Sequence, residues 1–362
     1  MEADAGVGAL NGTPMQAIYN FICRPQNSVA ERTAVLSALS GASTTALADS
    51  QRRGVRDVQS NLRNRVIQMG GGTNAGLTTD WKYAGIQAWA QADGGFSTTD
   101  GQGDEYGYDF NTTGATVGAN LDLTANTVIG MSFSASYGEI EVDGDDHASG
   151  NNDTYYLNLF MRHQSNRWVQ MLILTAGLNQ MDMERSVMGY QGTGETEGRT
   201  FSAYYEVGYT FALDYDFNHI LQPLVSVSLT SATVDGYKEE GSIGNAGLDY
   251  GGGNYFYGQV GIGVRYQGVL YESVHERCAV LEARALITQD FGDATNEAEV
   301  GLLAGGDRYT VEGVDSTGTG FEIGVGLSIP VEQHTTVFAD ADFTYAPDYM
   351  GVRANLGLRY DF

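Results

Sequence analysis

The sequence predicts an all-β fold, a closed antiparallel transmembrane β-barrel of 12 strands with an N-terminal α-helix inside its pore. Three observations predict it. Long segments alternate apolar and polar residues, their connections alternate between short and long, and a basic helical segment precedes an acidic remainder. We divide the chain into a linker at 1–26, a helical segment at 27–83 and a barrel at 84–362.

The linker and the helical segment differ in pattern. Residues 1–26 contain neither the basic start nor the apolar stretch of a signal peptide. Within 27–83, a Pro-free stretch at about 45–68 repeats apolar residues at roughly helical intervals, and a run of three glycines follows it. At ~1.5 Å per residue this helix would be about 36 Å long, enough to cross a barrel. Taken alone, it would also fit a surface helix with solvated arginines.

Charge divides the chain in the same place. Residues 27–68 carry six arginines against three acids, whereas residues 84–362 carry 11 basic against 39 acidic residues, and the whole chain has a net charge of -26. Such an acidic domain argues against nucleic acid as a partner, because it would repel phosphate. We predict that the helix places Arg52, Arg53, Arg56, Arg63 and Arg65 in the pore. The matching lumen acids are predicted to be Asp122, Glu206, Asp214, Glu282, Glu322, Asp340 and Asp342.

Strand alternation is clearest at 201–215, 321–329 and 352–362, where an apolar row faces a row of small, polar and charged residues. We interpret the apolar row as facing lipid and the other row as lining a wet lumen. The stretch at 168–184 alternates poorly, and its faces cannot be assigned. A soluble sandwich also alternates, but its strands usually run about 5 to 6 residues, whereas these are longer.

The connections give the strand count. Short turns are predicted near 124–126, 164–166, 216–218, 270–274 and 331–333. Longer loops are predicted near 97–111, 140–152, 186–199, 234–253 and 292–317, and a short final loop near 346–349. One strand on either side of each connection gives 12, so both barrel ends lie on the side of the tight turns. In outer-membrane barrels that side is periplasmic and the long loops are extracellular.

Residues that could carry chemistry are few. No nucleophile-elbow, zinc-protease or phosphate-loop motif is present. Four histidines, His163, His219, His275 and His334, fall beside predicted turns, where we interpret them as interfacial polar residues. His147 lies near Asp143, Asp145 and Asp146, which could bind a cation such as Ca²⁺ or form a solvated acidic loop. The two cysteines, Cys23 and Cys278, form no metal or redox motif, and we expect no cofactor, no metal and no enzymatic activity.

A series of motifs extends in order over residues 27–362. The stretch at 36–66 has a Leu-Ser-Gly element followed by an arginine-rich helix, and WAQADGGF (89–96) and GATVGANLDL (114–123) follow it. Then come YEVGYTF (205–211), LQPLVSVSL (221–229), YKEEGSIGNAGL (237–248), YTVEG (309–313), GFEIGVGLSIP (320–330) and the terminal LGLRYDF. This colinear series resembles the autotransporter β-domain family, in which the first stretch is similar to the pre-barrel region, the next two motifs look like the first hairpin, and those at 205–248 look like middle strands and a loop.

The resemblance implies a monomeric translocator in the bacterial outer membrane, which contacts lipid and exports the passenger that precedes it. Residues 1–26 would then be a passenger remnant. Insertion would be assisted by the barrel assembly machinery, which reads a C-terminal signal that here matches Leu356, Leu358, Tyr360 and Phe362. Some family members cut their passenger at an Asn pair in the pore helix. This helix has Asn61 and Asn64 but no adjacent pair, so self-cleavage is not implied here.

Three other functions remain open on the sequence. A general porin would have an open lumen and no basic segment ahead of the barrel. A barrel enzyme, omptin-like or lipase-like, would carry its site on the long loops. Adhesion through those loops is neither supported nor excluded.

Overall fold

The computed structural model describes residues 12–69, 85–102, 106–124, 126–143, 148–272, 278–293, 295–315 and 317–362. Three helices come first, α1 (Pro14–Ile22), α2 (Val29–Ser40) and α3 (Thr45–Ile67). Within this described part of the chain, no helix is both long enough and apolar enough to cross a membrane. The helix predicted at about 45–68 is confirmed as α3. By contrast, α1 lies in a stretch where the sequence predicted only a linker.

Twelve long strands form the barrel. They are β1 (Ile86–Thr99), β2 (Tyr108–Thr124), β3 (Thr127–Val142), β4 (Ser149–Ser165), β5 (Trp168–Val187), β6 (Tyr190–Tyr209), β7 (His219–Val234), β8 (Gly253–Glu272), β9 (Cys278–Gly292), β10 (Gly318–Pro330), β11 (Thr335–Ala346) and β12 (Tyr349–Asp361). Each strand pairs antiparallel with its neighbours in sequence. β1 also pairs with β12, from Gln87 opposite Asp361 to Thr99 opposite Tyr349, so the sheet closes and no barrel strand is left as an edge.

The period-2 pattern sets the two faces of the wall as predicted. On β12, Leu356, Leu358 and Tyr360 are exposed outside the barrel, whereas Asn355 and Arg359 are buried inside it. The same alternation holds along β6 and β10. The predicted strand at 201–215 is too long, because β6 ends at Tyr209 and only Phe211–Ala212 continue as a short strand.

The two ends of the barrel differ. At the end that holds the start of β1 and the end of β12, called here the turn end, short connections join β2 to β3, β4 to β5, β6 to β7 and β10 to β11. Of the turn predicted at 270–274, residues 270–272 belong to β8, and residues 273–274 lie outside the described residues. The opposite end, called here the long-loop end, has the longer connections of 235–252 and 293–317.

One predicted loop is wrong. The sequence predicted a long loop at 186–199, but β5 and β6 continue through most of it and are joined by Met188 and Gly189 alone. Both residues have positive φ, 52° and 83°, as a type I′ hairpin turn requires. The polar residues that suggested a loop lie on the outer face of strands that continue beyond the apolar band, whereas inward residues such as Arg185 and Val187 are buried.

A small sheet closes the long-loop end. It consists of four antiparallel strands, Tyr237–Lys238, Leu248–Tyr250, Ala298–Leu302 and Tyr309–Val311. Tyr237, Leu248 and Val300 from this sheet pack with Leu47 of α3 and with Met183 of β5 in one buried cluster. We call this sheet, its loops and the tip of the β5–β6 hairpin the loop cap.

Candidate functional site

The pore contains α3, which is 23 residues long and has 21 of them buried. Its first turns lie at the long-loop end, where Leu47 packs against the loop cap. Its last turn lies at the turn end, where Ile67 packs against Val169 at the start of β5. The chain therefore passes once through the barrel, entering at the long-loop end.

One side of α3 is apolar. Val55, Val58, Leu62 and Val66 repeat at helical spacing and are almost completely buried. They pack against the inward side chains of Trp89, Val128, Tyr156, Phe160, Met171, Ile173 and Tyr204. Two of these, Met171 and Ile173, lie on β5, which explains why 168–184 alternates poorly. Its inward row is apolar because it faces the helix rather than water.

The other side of α3 is charged, and its arginines have partners in the wall or on the helix itself. Arg56 donates two hydrogen bonds to Asp290 of β9, at 3.2 and 2.7 Å. Arg63 forms an ion pair with Glu322 of β10 and donates to Ser60 at 3.1 Å. Two of the predicted five arginines, Arg56 and Arg63, thus reach a wall carboxylate.

The remaining three arginines are held differently. Arg52 and Arg53 both pair with Asp49, one turn earlier on α3, at 2.6 Å. Arg53 also donates to Tyr108 at 2.9 Å and lies 3.9 Å from the ring centre of Tyr349. Near the turn end, the Arg65 guanidinium lies 4.4 Å from the ring centre of Phe338. These contacts let a buried guanidinium keep a hydrogen-bonded or cation–π partner.

The wall supplies arginines as well as acids, and the sequence did not predict how they pair. Arg265 of β8 pairs with Glu206 at 2.8 Å and with Glu282 at 3.3 Å. Arg284 of β9 pairs with Glu322 at 3.1 Å and also with Asp342. Asp342 in turn accepts hydrogen bonds from Ser60 and Asn64 of α3 at 3.0 and 3.3 Å. The predicted acids are therefore held mainly by the wall, and the helix joins the network at its edge.

The other predicted acids lie as follows. Asp340 is buried on the inward row of β11, and Asp122 is partly buried on β2 near the turn end. Asp214 was predicted on the inward row of a strand, and this position is wrong. It lies in the turn between β6 and β7 and accepts a hydrogen bond from the backbone N–H of His219 at 3.1 Å.

The predicted C-terminal signal residues face outward. Leu356, Leu358, Tyr360 and Phe362 are between 47% and 66% exposed in the isolated chain. Tyr360 and Phe362 meet edge to face with ring centres 5.0 Å apart. Such a row suits the acyl chains and the interface of a bilayer.

Residues considered for catalysis or cation binding are dispersed. His163, His219 and His334 lie near the turn end and bond Thr127, Tyr266 and the carbonyl of Asp361, each at 2.8 to 2.9 Å. His275, Asp145, Asp146 and His147 lie outside the described residues. In the described ranges, no group of three or more His, Cys, Asp or Glu residues has an arrangement that could hold a metal ion.

A closed, lipid-facing barrel whose lumen holds the chain's own helix defines a plugged outer-membrane barrel. The sequence profile of the autotransporter beta-domain matches residues 88–342. The chain belongs to the autotransporter β-domain family, and it is an outer-membrane translocator for export of a linked passenger domain. A search of curated proteins finds no match.

Solved structures share the fold. The translocator domain of autotransporter NalP from Neisseria meningitidis superposes with a TM-score of 0.67 at 16% identity, covering 88% of this chain and 98% of that one. The beta domain of the Bordetella autotransporter BrkA gives 0.57 at 14% identity over 77% and 100% of the two chains. The transport unit of autotransporter AIDA-I from Escherichia coli gives 0.53 at 14% identity over 76% and 90%.

Proposed function

We propose that the barrel carries its passenger to the cell surface from the turn end to the long-loop end and that α3 then remains in the pore as a plug. In this orientation the turn end is periplasmic and the long loops are extracellular. The observation that carries the proposal is the path of α3. Because it enters at the loop cap and ends beside Val169, the described residues before Thr45, 12–44, lie beyond the long-loop end of the lumen.

The proposed mechanism is physical. A polypeptide cannot cross lipid with its backbone N–H and C=O groups unpaired, and the barrel wall shields them from acyl chains. We infer that passenger folding outside supplies the driving energy. We also infer that this domain is not itself an enzyme, since its buried polar groups hold the helix and one another.

The proposed partners follow from the outer surface. The outward rows are apolar through the middle of the wall, as membrane lipid requires, and the C-terminal strand ends in the exposed aromatic pair Tyr360 and Phe362. We infer that this strand is the segment recognised by the barrel assembly machinery. Because β1 and β12 close the barrel sheet, none of its twelve described strands offers an edge to a second copy, which supports a monomer.

The rival functions are less well supported. An open porin would leave the lumen to water, whereas the lumen here is crossed by a helix with an apolar contact to the wall. A loop-borne enzyme would bring its acid and base groups together on the long loops, whereas the three described histidines of the predicted interfacial set lie near the turn end.

The two cysteines provide a test without engineered labels. Cys23 is exposed and precedes α2, on the long-loop side, whereas Cys278 begins β9 at the turn end. We expect a membrane-impermeant maleimide to label Cys23 on intact cells, and a Cys23→Ser variant to lose that signal. A Cys278→Ser variant should keep it. Labelling of Cys23 only after permeabilisation would contradict the proposed export and orientation.

A further inference from the structure

The C-terminal end of α2 is held by the loop cap. The last carbonyls of a helix have no partner within it and carry partial negative charge. Here three successive carbonyls receive donors from elsewhere in the chain. Arg185 Nη1 donates to the Ala38 carbonyl at 2.6 Å, and the Tyr309 hydroxyl lies 3.4 Å from the Leu39 carbonyl and 3.1 Å from that of Ser40.

The guanidinium of Arg185 is held in a fixed orientation. It lies near the tip of β5, is 1% exposed, and donates two hydrogen bonds to Glu239 of the cap at 2.6 and 2.7 Å. A planar guanidinium held by two carboxylate oxygens keeps one further nitrogen aimed in a fixed direction. That nitrogen meets the end of α2.

The corner between α2 and α3 is enclosed by the same carboxylate. Gly41 has a φ of 76°, and a Cβ at that position would overlap the Leu248 side chain. The Leu248 backbone N–H donates to Glu239 Oε2 at 2.8 Å. Glu239 thus accepts three hydrogen bonds. It positions both the Arg185 guanidinium and the Leu248 side chain at the corner between α2 and α3.

Packing alone does not account for the position of α2. Of its 12 residues only Ala38 is buried, and its contact with the cluster of Ile18 and Ile243 is extended only by the partly buried Val35 and Leu39. Val29 is 71% exposed and Leu36 is 49% exposed. Further contact comes from α1, where Ile18 packs with Ile243 and Ala246, and the Met15 N–H donates to Asn245 at 3.3 Å.

We propose that the loop cap is a binding surface for the C-terminal end of a helix, that its ligand is the segment 12–41, and that this contact fixes where the chain leaves the pore. Its location outside the cell rests on the proposed function, but the contact itself does not. Docking of α2 requires this segment to have passed the loop cap, so it would hold the exported chain on the surface and fix the depth of α3.

The test measures how often α2 opens in the full-length barrel. Endoproteinase Glu-C cleaves after Glu31, an exposed residue in the first turn of α2, only when that turn opens. We expect Arg185→Gln and Glu239→Gln to raise the cleavage rate at Glu31 by about tenfold or more, because each leaves a buried partner without its charge. Mass spectrometry identifies the fragment ending at residue 31.

A matched control lies in the same cap. Arg308 pairs with Asp249 at 2.8 Å but is 41% exposed, and Arg308→Gln should change cleavage by less than about twofold. Tyr309→Phe removes only the hydroxyl and should accelerate cleavage while the barrel stays folded. This variant keeps the test valid if Arg185→Gln and Glu239→Gln do not fold. Unchanged cleavage in a folded Arg185→Gln or Tyr309→Phe barrel would overturn the proposal. Cys23 labelling of the same variants on intact cells reports separately on export.

Discussion

Asp57 of α3 accepts a hydrogen bond from Arg353 of β12 at 2.6 Å, so that the helix supplies the acid and the wall the base. The pairing is the reverse of the one that net charge suggests, a basic helix in an acidic lumen. Charge matching in this pore is therefore specific to residue pairs, and reversing a pair should distinguish it from a general attraction.

Reversal of this pair is the first prediction. Asp57→Arg and Arg353→Asp should each lower the free energy of unfolding in detergent by about 1.5 to 3 kcal/mol, because each leaves like charges facing in a partly buried site. The double variant should recover at least half of the loss. A double variant as unstable as the sum of the single variants would show that the two side chains do not interact.

Truncating a side chain on the apolar side of α3 should lower the free energy of unfolding of the barrel. Leu62 is fully buried against the wall, and Leu62→Ala should cost about 2 to 5 kcal/mol in urea unfolding of the micelle-bound barrel. Leu36→Ala on α2 is the control, since Leu36 is 49% exposed and its truncation should cost under about 0.5 kcal/mol. Equal effects would mean that Leu62 does not pack against the wall.

The outward face can be tested by placing a charge in lipid. Leu356 is 61% exposed near the middle of β12, and Leu356→Arg should destabilise the membrane-inserted barrel by about 2 to 4 kcal/mol. Val331 lies in the turn after β10 and is 53% exposed, so Val331→Arg should cost less than about 1 kcal/mol. Comparable losses at both sites, measured by refolding into lipid vesicles, would place Leu356 outside the apolar band.

The turn of the β5–β6 hairpin gives a stabilising prediction. Met188 has a φ of 52°, which is strained for methionine, and it precedes Gly189 with a φ of 83°. Met188→Asn creates the Asn-Gly pair preferred in type I′ turns and should slow hydrogen exchange in the hairpin tip by a factor of about 2 to 5. Gly189→Ala should accelerate it, and faster exchange in Met188→Asn would contradict the assigned turn.

The alternation in the sequence predicted the strands whose two faces meet different surroundings. On β12 and β10 one row meets lipid and the other meets polar side chains, so alternation was visible. It failed on β5, because Met171 and Ile173 face an apolar helix that periodicity along the strand cannot reveal. It failed again at 186–199, where a strand solvated on its outer face reads as a loop.

The same limit applies to the site. The sequence identified the arginines of α3 and most of the lumen acids, because charge and alternation are local properties. It could not pair them, since Arg265 and Arg284 reach Glu206, Glu282 and Asp342 only through the register of neighbouring strands. The hydrogen bond from Arg185 to the Ala38 carbonyl joins residues 147 positions apart, and no local sequence pattern indicates it.

Planar-bilayer conductance tests the central claim, that α3 fills the lumen of the barrel. The full-length chain should show only small currents, and a barrel lacking residues 1–68 should conduct several times more at the same voltage and salt. A large steady current from the full-length chain, or no increase on removing the helix, would contradict the account.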